Sequence, residues 1–200
     1  RDSVPGDEVR HIDWRQTARR RRPIVRQFES ETASEWTVLL DLSSSMAMHG
    51  ASKWRAAFAG AAAMSYALLE LGHRVGLLAF GRGVSAECPR GRGRTHYASV
   101  VRTLGTLRPA ATGELSELGA CGRRLHGDGA VVIFSDFLAD DGMRSGLAAL
   151  LERSTSLHAL QVADPADVTL PAAGEVDLVD VETGARITAM VDARAAALVA

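Results

Sequence analysis

The sequence predicts a three-layer α/β/α fold built around a mostly parallel central sheet. Continuous apolar runs recur along the chain, and such runs are typical of strands buried on both faces. Stretches with helical spacing of apolar residues separate these runs, and this alternation favours a parallel sheet covered by helices on both sides. The chain has 200 residues, of which 46% are hydrophobic, which suits one domain with an extension and an ordinary core.

The first elements follow a change in composition near residue 36. Residues 1–35 are polar and irregular, so we interpret them as an N-terminal segment packed on a domain of residues 36–200. The run "TVLLDL" from Thr37 is the first predicted strand, and a helix is predicted over 51–72 with Gly72 as its end. The apolar face of that helix comprises Trp54, Phe58, Ala61, Ser65 and Leu68.

The remaining elements continue the alternation. "RVGLLAF" is the second strand and "GVSAECP" an edge strand, followed by helices over 95–107 and 114–126. "GAVVIFSDF" is the third strong strand, and a helix over 141–153 leads to "SLHALQVAD". Two short strands in "VDLVDVETGARITAMV" join at Thr183 and Gly184, and the final residues begin a helix that is cut short by the end of the chain.

Composition limits the classes of function. The formal net charge of −1 gives no general reason to expect nucleic acid or an anionic membrane as a partner. Lys53 is the only lysine among many arginines, which we attribute to genome composition. Cys88 and Cys121 have no metal-binding spacing and indicate a reduced, cytoplasmic setting. The start at Arg1 predicts a piece of a longer protein, for which a membrane anchor remains open.

An acidic residue stands at the carboxyl end of two of the predicted central strands. Asp41 follows "TVLL" and Asp136 follows "VVIFS", and parallel strands bind ligands at their carboxyl ends. Ser43 and Ser45 lie two and four residues after Asp41, so the three side chains can converge. Hydroxyl and carboxylate oxygens suit Mg²⁺, with Mn²⁺ or Ca²⁺ as alternatives. Thr112, in the loop before the next helix, is a candidate for a further hydroxyl ligand.

Other chemistries fit this edge less well. "DLSSSMAMHG" lacks the glycines and lysine of a phosphate-binding loop, and no G-x-S-x-G elbow surrounds its serines. An aspartyl phosphotransferase would carry a second acid at position 43, which is serine. We therefore expect a binding protein and no enzyme. A metal-assisted phosphohydrolase using Asp41 and Asp136 is the alternative, and a scaffold with a vestigial metal site is a third hypothesis.

Partner contacts are harder to locate. The basic run "ARRRRPIVRQ" at 18–27 suits either an acidic partner or a solvated face with ion pairs, and the second interpretation is favoured. Nucleic acid is not expected as a partner. Trp14 either anchors a partner or seals the N-terminal segment against the sheet. The candidate partner-binding residues are Ser44, Met46, Trp14 and Arg19.

Two motifs carry a family resemblance. "DLSSSM" resembles the metal-ion-dependent adhesion site of von Willebrand factor A domains, which have a Rossmann-like fold. Together with "VPGDEVRHIDWRQTAR", Lys53, "FSDF" and "LP…G…DVETG", it resembles the bacterial family called domain of unknown function 58, usually encoded beside MoxR-type AAA+ ATPases.

The resemblance implies both a site and a role. Ser43, Ser45 and Thr112 would contact Mg²⁺ directly, whereas Asp41 and Asp136 would act mostly through water. The role implied is that of an adaptor or assembly partner for the ATPase, with no known reaction. Family members often carry two membrane helices before this region, and this sequence contains none.

Overall fold

The computed structural model describes residue 17 and the ranges 34–81, 83–109, 118–125, 129–138, 143–168, 174–181 and 184–191. The chain divides into two compact units, Arg1–Thr32 and Ala33–Ala200. Of the first unit only Thr17 is described, so the predicted packing of the N-terminal segment stays a prediction. The fold below is that of the second unit.

Strands and helices alternate along the described residues. The elements are β1 (Glu35–Asp41), α1 (Met48–Glu70), β2 (Arg74–Gly81), β3 (Gly83–Gly91), α2 (Gly93–Thr106), α3 (Leu118–Arg124), β4 (Gly129–Ser135), α4 (Met143–Leu151), β5 (Ser156–Gln161), β6 (Gly174–Val179) and β7 (Arg186–Val191). Short 3₁₀ turns at Ser44–Ala47 and Pro165–Val168 follow β1 and β5. The predicted final helix, over the last nine residues, lies outside the described ranges.

The central sheet has the strand order β3-β2-β1-β4-β5. β1 pairs in parallel with both β2 and β4, and β4 pairs in parallel with β5. β3 is antiparallel to β2 and forms one edge, as predicted for "GVSAECP". β2 and β3 therefore lie on one side of β1, and β4 and β5 lie on the other side. The strand order reverses between β1 and β4.

Two apolar clusters place helices on opposite faces of the sheet. On one face, Val38 and Leu40 of β1 share a cluster with Ala57 and Ala61 of α1 and Leu104 of α2. Leu39 points to the other face, as alternation along a strand requires, and lies in the cluster that α3 and α4 cover. The predicted three-layer α/β/α class with a mostly parallel sheet is confirmed.

The buried face of α1 differs from the predicted one. Its central positions are Lys53, Ala57, Ala61, Ser65, Leu68 and Leu69. Ala61, Ser65 and Leu68 are buried as predicted, whereas Trp54 and Phe58, predicted on the same face, are half-buried and pack against the edge of the core. Large aromatic side chains at the centre would hold the helix away from the sheet, whereas alanine lets it approach closely. Gly60 shows this closeness, because a Cβ there would lie 2.6 Å from the Phe134 ring.

The last two strands form a separate antiparallel hairpin. β6 and β7 pair from Gly174↔Val191 to Val179↔Arg186, and Gly184 in the connection has φ +73°. This confirms the predicted pair of short strands. No helix among the described residues is long and apolar enough to cross a membrane.

Candidate metal centre

The carboxyl ends of β1 and β4 meet where the strand order reverses. Asp41 is the last residue of β1, and Asp136 directly follows β4. Helices leave the sheet toward opposite faces at such a point and open a crevice, which is where ligands bind in α/β folds. The predicted convergence of Asp41 and Asp136 is therefore a consequence of the topology.

The Asp41 loop is folded tightly around its own carboxylate. The Ser43 backbone N–H donates to Asp41 Oδ1 at 2.8 Å, and the Ser43 and Ser45 hydroxyl oxygens are 3.0 Å apart. The chain then enters the 3₁₀ turn, in which the Met46 N–H donates to the Ser43 carbonyl at 3.2 Å. Asp41, Ser43 and Ser45 are all buried. The D-x-S-x-S spacing thus brings three oxygen-bearing side chains to one place.

Ser135 connects the ends of the two strands. Its hydroxyl donates to Asp41 Oδ2 at 2.5 Å and accepts from the Phe137 N–H at 3.0 Å. Phe137 has φ +54°, an uncommon left-handed conformation for a bulky residue. Such outliers cluster at functional sites, where the surrounding structure enforces them.

Burial dominates the electrostatics of Asp41. Loss of hydration raises the pKa of Asp41 above its usual value, and the negative charge of Asp136 acts in the same direction. Hydrogen bonds from Ser135 and Ser43 oppose the rise. The two carboxylates therefore lie close enough to repel each other, and a cation between them would relieve that repulsion.

Lys53 provides a positive charge inside the site. Its side chain is 0% exposed, and its ammonium donates to Asp136 Oδ2 at 2.8 Å and to Asp167 Oδ1 at 3.1 Å. Asp167 lies in the 3₁₀ turn after β5, is 7% exposed, and also contacts His49 Nε2 at 3.2 Å. The lysine, on the first turns of α1, thus ties the helix to the ends of β4 and β5.

A second polar contact joins the same elements at a more exposed position. The Ser52 hydroxyl donates to Asp164, whose carboxylate also accepts from the Ala166 N–H at 2.9 Å. These hydrogen bonds lower the pKa of Asp164, with the Ser52 bond first among the causes. Residues 49–51, which precede this contact, have left-handed backbone angles, so the regular part of α1 begins after Ala51.

The oxygen donors fit a small divalent cation. Mg–O distances of about 2.1 Å place neighbouring ligands of an octahedron about 3.0 Å apart. The Ser43 and Ser45 hydroxyls hydrogen-bond to each other with their oxygens 3.0 Å apart, a separation that two neighbouring ligands of such an ion would also have. Asp136 is occupied by Lys53 through Oδ2 and by the Leu138 N–H through Oδ1, at 3.3 Å, which suits a role through water. The described residues contain no group of three or more His, Cys, Asp or Glu arranged to hold a metal, so hydroxyls would have to complete the set.

The structure brings together four of the nine residues predicted for the site: Asp41, Ser43, Ser45 and Asp136. Ser44 is half-buried beside them. Met46 is 0% exposed and packs in the core, so its interpretation as a partner contact is wrong. Thr112, Trp14 and Arg19 lie outside the described residues.

Sequence reasoning missed Lys53, Ser135 and Asp167. Lys53 had a detectable signal, because it is the only lysine and lies four and eight residues before Ala57 and Ala61 on the apolar face of a helix. A cation at such a position needs a buried anion. In the sequence, Ser135 is simply the last residue of an apolar strand pattern. Asp167 follows β5 by six residues and lies in a polar loop. Neither carries a comparable signal.

Two mycobacterial proteins are similar to this chain in sequence. Proteins of Mycobacterium tuberculosis (strain ATCC 25618 / H37Rv) and Mycobacterium bovis (strain ATCC BAA-935 / AF2122/97), both called uncharacterized, are 36% identical to this chain over 186 residues. The matches cover 90% of this chain and 58% of each relative, so the chain spans less than two thirds of their length.

A solved structure has the same architecture. It is an aerotolerance-related membrane protein from Bacteroides fragilis NCTC 9343 with multiple mutations to serines, with a TM-score of 0.52, 16% identity, and coverage of 83% of this chain and 86% of that chain. At this identity the likeness shows the fold alone, which is the von Willebrand factor A-like fold predicted from the sequence. The family model described as "Protein of unknown function DUF58" matches residues 1–198, so the chain belongs to the DUF58 family.

Proposed function

We propose that this chain is a divalent-metal-dependent protein-binding module. The observation that carries the proposal is the position of Asp41, Ser43 and Ser45 at the reversal of strand order. The two serine hydroxyls are hydrogen-bonded to each other at 3.0 Å, and a second carboxylate, that of Asp136, directly follows the adjacent strand. Bound there, Mg²⁺ would supply a Lewis-acidic position that accepts an acidic side chain of a partner protein. The role of the chain's own residues is to hold and orient the ion.

Each residue has a defined part in this proposal. Ser43 and Ser45 would be direct ligands, and Asp41 and Asp136 would act mainly through water. Ser135 positions the Asp41 carboxylate by donating to Oδ2, and the Ser43 N–H holds the other oxygen. Mostly neutral direct ligands leave the ion positively charged, and that charge attracts a partner's carboxylate.

The partner class follows from the family resemblance. The resemblance described above implies a gene encoded beside a MoxR-type AAA+ ATPase, so we propose such an ATPase, or another protein offering an acidic side chain, as the partner. The chain would then serve as an adaptor or assembly factor. Metal binding and partner binding are separate steps and need separate tests.

Isothermal titration calorimetry with Mg²⁺ and Mn²⁺ tests the metal step. We expect binding heat for the wild type and none for Asp41→Ala. Asp177→Ala, which removes an exposed carboxylate on the β6–β7 hairpin, is the matched control and should bind like the wild type. Equal heats for the wild type and Asp41→Ala would show that the ion does not bind at this site.

Pull-down of a MoxR-type AAA+ ATPase from the same organism tests the partner step. We expect capture in Mg²⁺, loss in EDTA, and loss in Asp41→Ala. Capture that resists EDTA but disappears when residues 1–30 are deleted would instead support a scaffold that contacts its partner through the arginine-rich N-terminal segment.

A metal-assisted phosphohydrolase is the second candidate. It is favoured by the buried Asp41 at the carboxyl end of a central strand, because a raised pKa in a crevice is common for catalytic carboxylates. Generic phosphate esters assayed with and without Mg²⁺ separate the two functions. Turnover that is lost in Asp41→Asn would replace the binding proposal with an enzyme.

A further inference from the structure

We propose that Lys53 sets the charge of the ion that the metal centre accepts, and thereby selects a divalent over a trivalent cation. This inference rests on the proposed function, because it concerns the same ion. It goes further by assigning a role to a residue that belongs neither to the D-x-S-x-S motif nor to any expected set of metal ligands.

The first step is the burial of Lys53. The side chain is 0% exposed, and the carboxylates that contact it, Asp136 and Asp167, are 3% and 7% exposed. A lysine is almost never fully buried unless it is paired. Its ammonium therefore acts as a fixed cation inside the site, held at 2.8 Å from Asp136, which is one of the proposed water-mediated contacts of the metal.

The second step is the charge balance. Asp41, Asp136 and Asp167 carry three formal negative charges and Lys53 carries one positive charge, so the buried side chains sum to −2. Each unit of charge added to this sum or removed from it changes the attraction for a trivalent ion more than for a divalent ion. Asp164 and His49 also face this group, since the Asp164 N–H donates to Asp167 Oδ2 at 3.0 Å and His49 Nε2 lies 3.2 Å from Asp167 Oδ1. Both stay in place when Lys53 or Asp167 is replaced, so the comparison between variants concerns the charge that is removed.

The third step is the size of the effect. Removing the ammonium makes the site −3, and the added attraction is proportional to the charge of the incoming ion. With the dielectric response typical of buried sites, one charge a few ångströms away changes the ratio of trivalent to divalent affinity by roughly tenfold or more. Removing one carboxylate makes the site −1 and should change the ratio in the opposite direction.

The test compares Tb³⁺ and Mn²⁺ affinities, by luminescence and by calorimetry, at pH 8 in wild type, Lys53→Met, Asp167→Asn and the double variant. We expect the Tb³⁺/Mn²⁺ affinity ratio to rise about tenfold or more in Lys53→Met and to fall by a similar factor in Asp167→Asn. The double variant restores −2 while leaving Asp136 in place, and its ratio should return toward that of the wild type.

Several outcomes would overturn the inference. Equal ratios in wild type, Lys53→Met and Asp167→Asn, with Mn²⁺ still bound, would refute it and leave the proposed function standing. A double variant that behaves like Lys53→Met would show that the freed Asp136, and not the charge sum, determines the ratio. Absence of binding in every protein would refute the proposed function and this inference together. If Lys53→Met does not fold, Asp167→Asn decides, because it keeps the pairing of Lys53 with Asp136.

Discussion

At the scale of single residues, the site buries polar and charged groups whose removal from water costs free energy. Asp41 is 2% exposed and lies near Asp136, and among the described residues the hydrogen bonds that favour its ionised form come from Ser135 and Ser43. A buried charge that is not neutralised by an opposite charge costs stability. The buried Asp41 carboxylate therefore lowers the stability of the metal-free fold, a cost that functional sites often carry.

This cost of burial predicts a pH dependence for the metal-free protein. Because burial raises the pKa of Asp41 above its unfolded value near 3.8, the folded state holds the Asp41 proton more tightly than the unfolded state does. The contribution of this group to stability is complete below the unfolded pKa and is lost as the pH rises through the folded pKa. Asp41→Asn should therefore flatten the stability profile above pH 4 and melt at or above the wild-type temperature at pH 7.5 in EDTA.

Thermal unfolding followed by circular dichroism from pH 5 to 8 measures this effect. A gain of 1 kcal/mol corresponds to about 2–4 °C for a domain of this size. Asp177→Asn, on the exposed hairpin, should leave the profile unchanged. An Asp41→Asn variant that melts below the wild type at every pH would show that the ionised carboxylate stabilises the fold.

The cysteines are a second case at this scale. Cys88 and Cys121 are both buried thiols outside any disulfide, and burial raises the pKa of the Cys88 thiol, which keeps it protonated and unreactive. We expect a thiol reagent at pH 7.5 to label the native protein at least about a hundredfold more slowly than the unfolded protein. Ser85→Cys adds an exposed thiol on the same strand and should label at once. Fast labelling of the wild type would contradict the burial.

At the scale of elements, close contact between α1 and the sheet positions Lys53. Small residues on the buried face of α1 allow the helix to lie against β4, and this closeness brings a lysine ammonium within 2.8 Å of Asp136. A bulkier helix face would place the ammonium farther from both of its carboxylates. The packing of α1 and the electrostatics of the site are therefore linked.

Two helical glycines test this packing. A Cβ on Gly60 would lie 2.6 Å from the Phe134 ring, whereas one on Gly105 would meet nothing within 4 Å. Gly105→Ala in α2 should stabilise the fold by about 0.5–1 kcal/mol through helix propensity. Gly60→Ala gains the same propensity but forces the ring aside, at a cost of about 1–3 kcal/mol, so we expect net destabilisation.

Denaturant unfolding of both variants gives the comparison. The difference between them matters most, because the propensity gain is common to both and the contact with Phe134 is not. If Gly60→Ala is as stable as Gly105→Ala, then α1 does not pack as closely against β4 as the structure shows.

At the scale of the whole molecule, the candidate centre lies where several elements meet. β1, β4, α1 and the turn after β5 each contribute a side chain that contacts another in the same group. An ion bound by the folded state and not by the unfolded chain stabilises the whole domain by mass action. Metal binding should therefore appear as a change in global stability.

We expect 10 mM Mg²⁺ to raise the melting temperature by a few degrees, since a concentration ten times the dissociation constant is worth about 1.4 kcal/mol. The double variant Ser43→Ala/Ser45→Ala should lose this response. Ser65→Ala is the matched control, because Ser65 is a buried serine on α1 that donates to the Ala61 carbonyl. An equal response to Mg²⁺ in all three proteins would place the ion elsewhere.

Local patterns were sufficient to predict most of the fold. Apolar runs such as "TVLLDL" and "GAVVIFSDF" predicted buried strands because a strand with helices on both faces has no polar side. The alternation with helices predicted the parallel sheet, and the acidic residues at two strand ends predicted that Asp41 and Asp136 would approach each other. The D-x-S-x-S spacing is short enough for local geometry alone to bring its oxygens together.

Only the tertiary structure decided what surrounds those oxygens. Lys53, Ser135 and Asp167 come from a helix, a strand and a turn whose mutual distances depend on packing, and the separations of 83 and 114 residues between Lys53 and its carboxylates leave no local trace. The same packing buried Met46 and moved Trp54 to the margin of the core. Sequence alone thus determined the fold class and the conformation of the D-x-S-x-S loop, because both follow from local patterns in the chain. The charge environment came from the tertiary structure, because charges act through space and not along the chain.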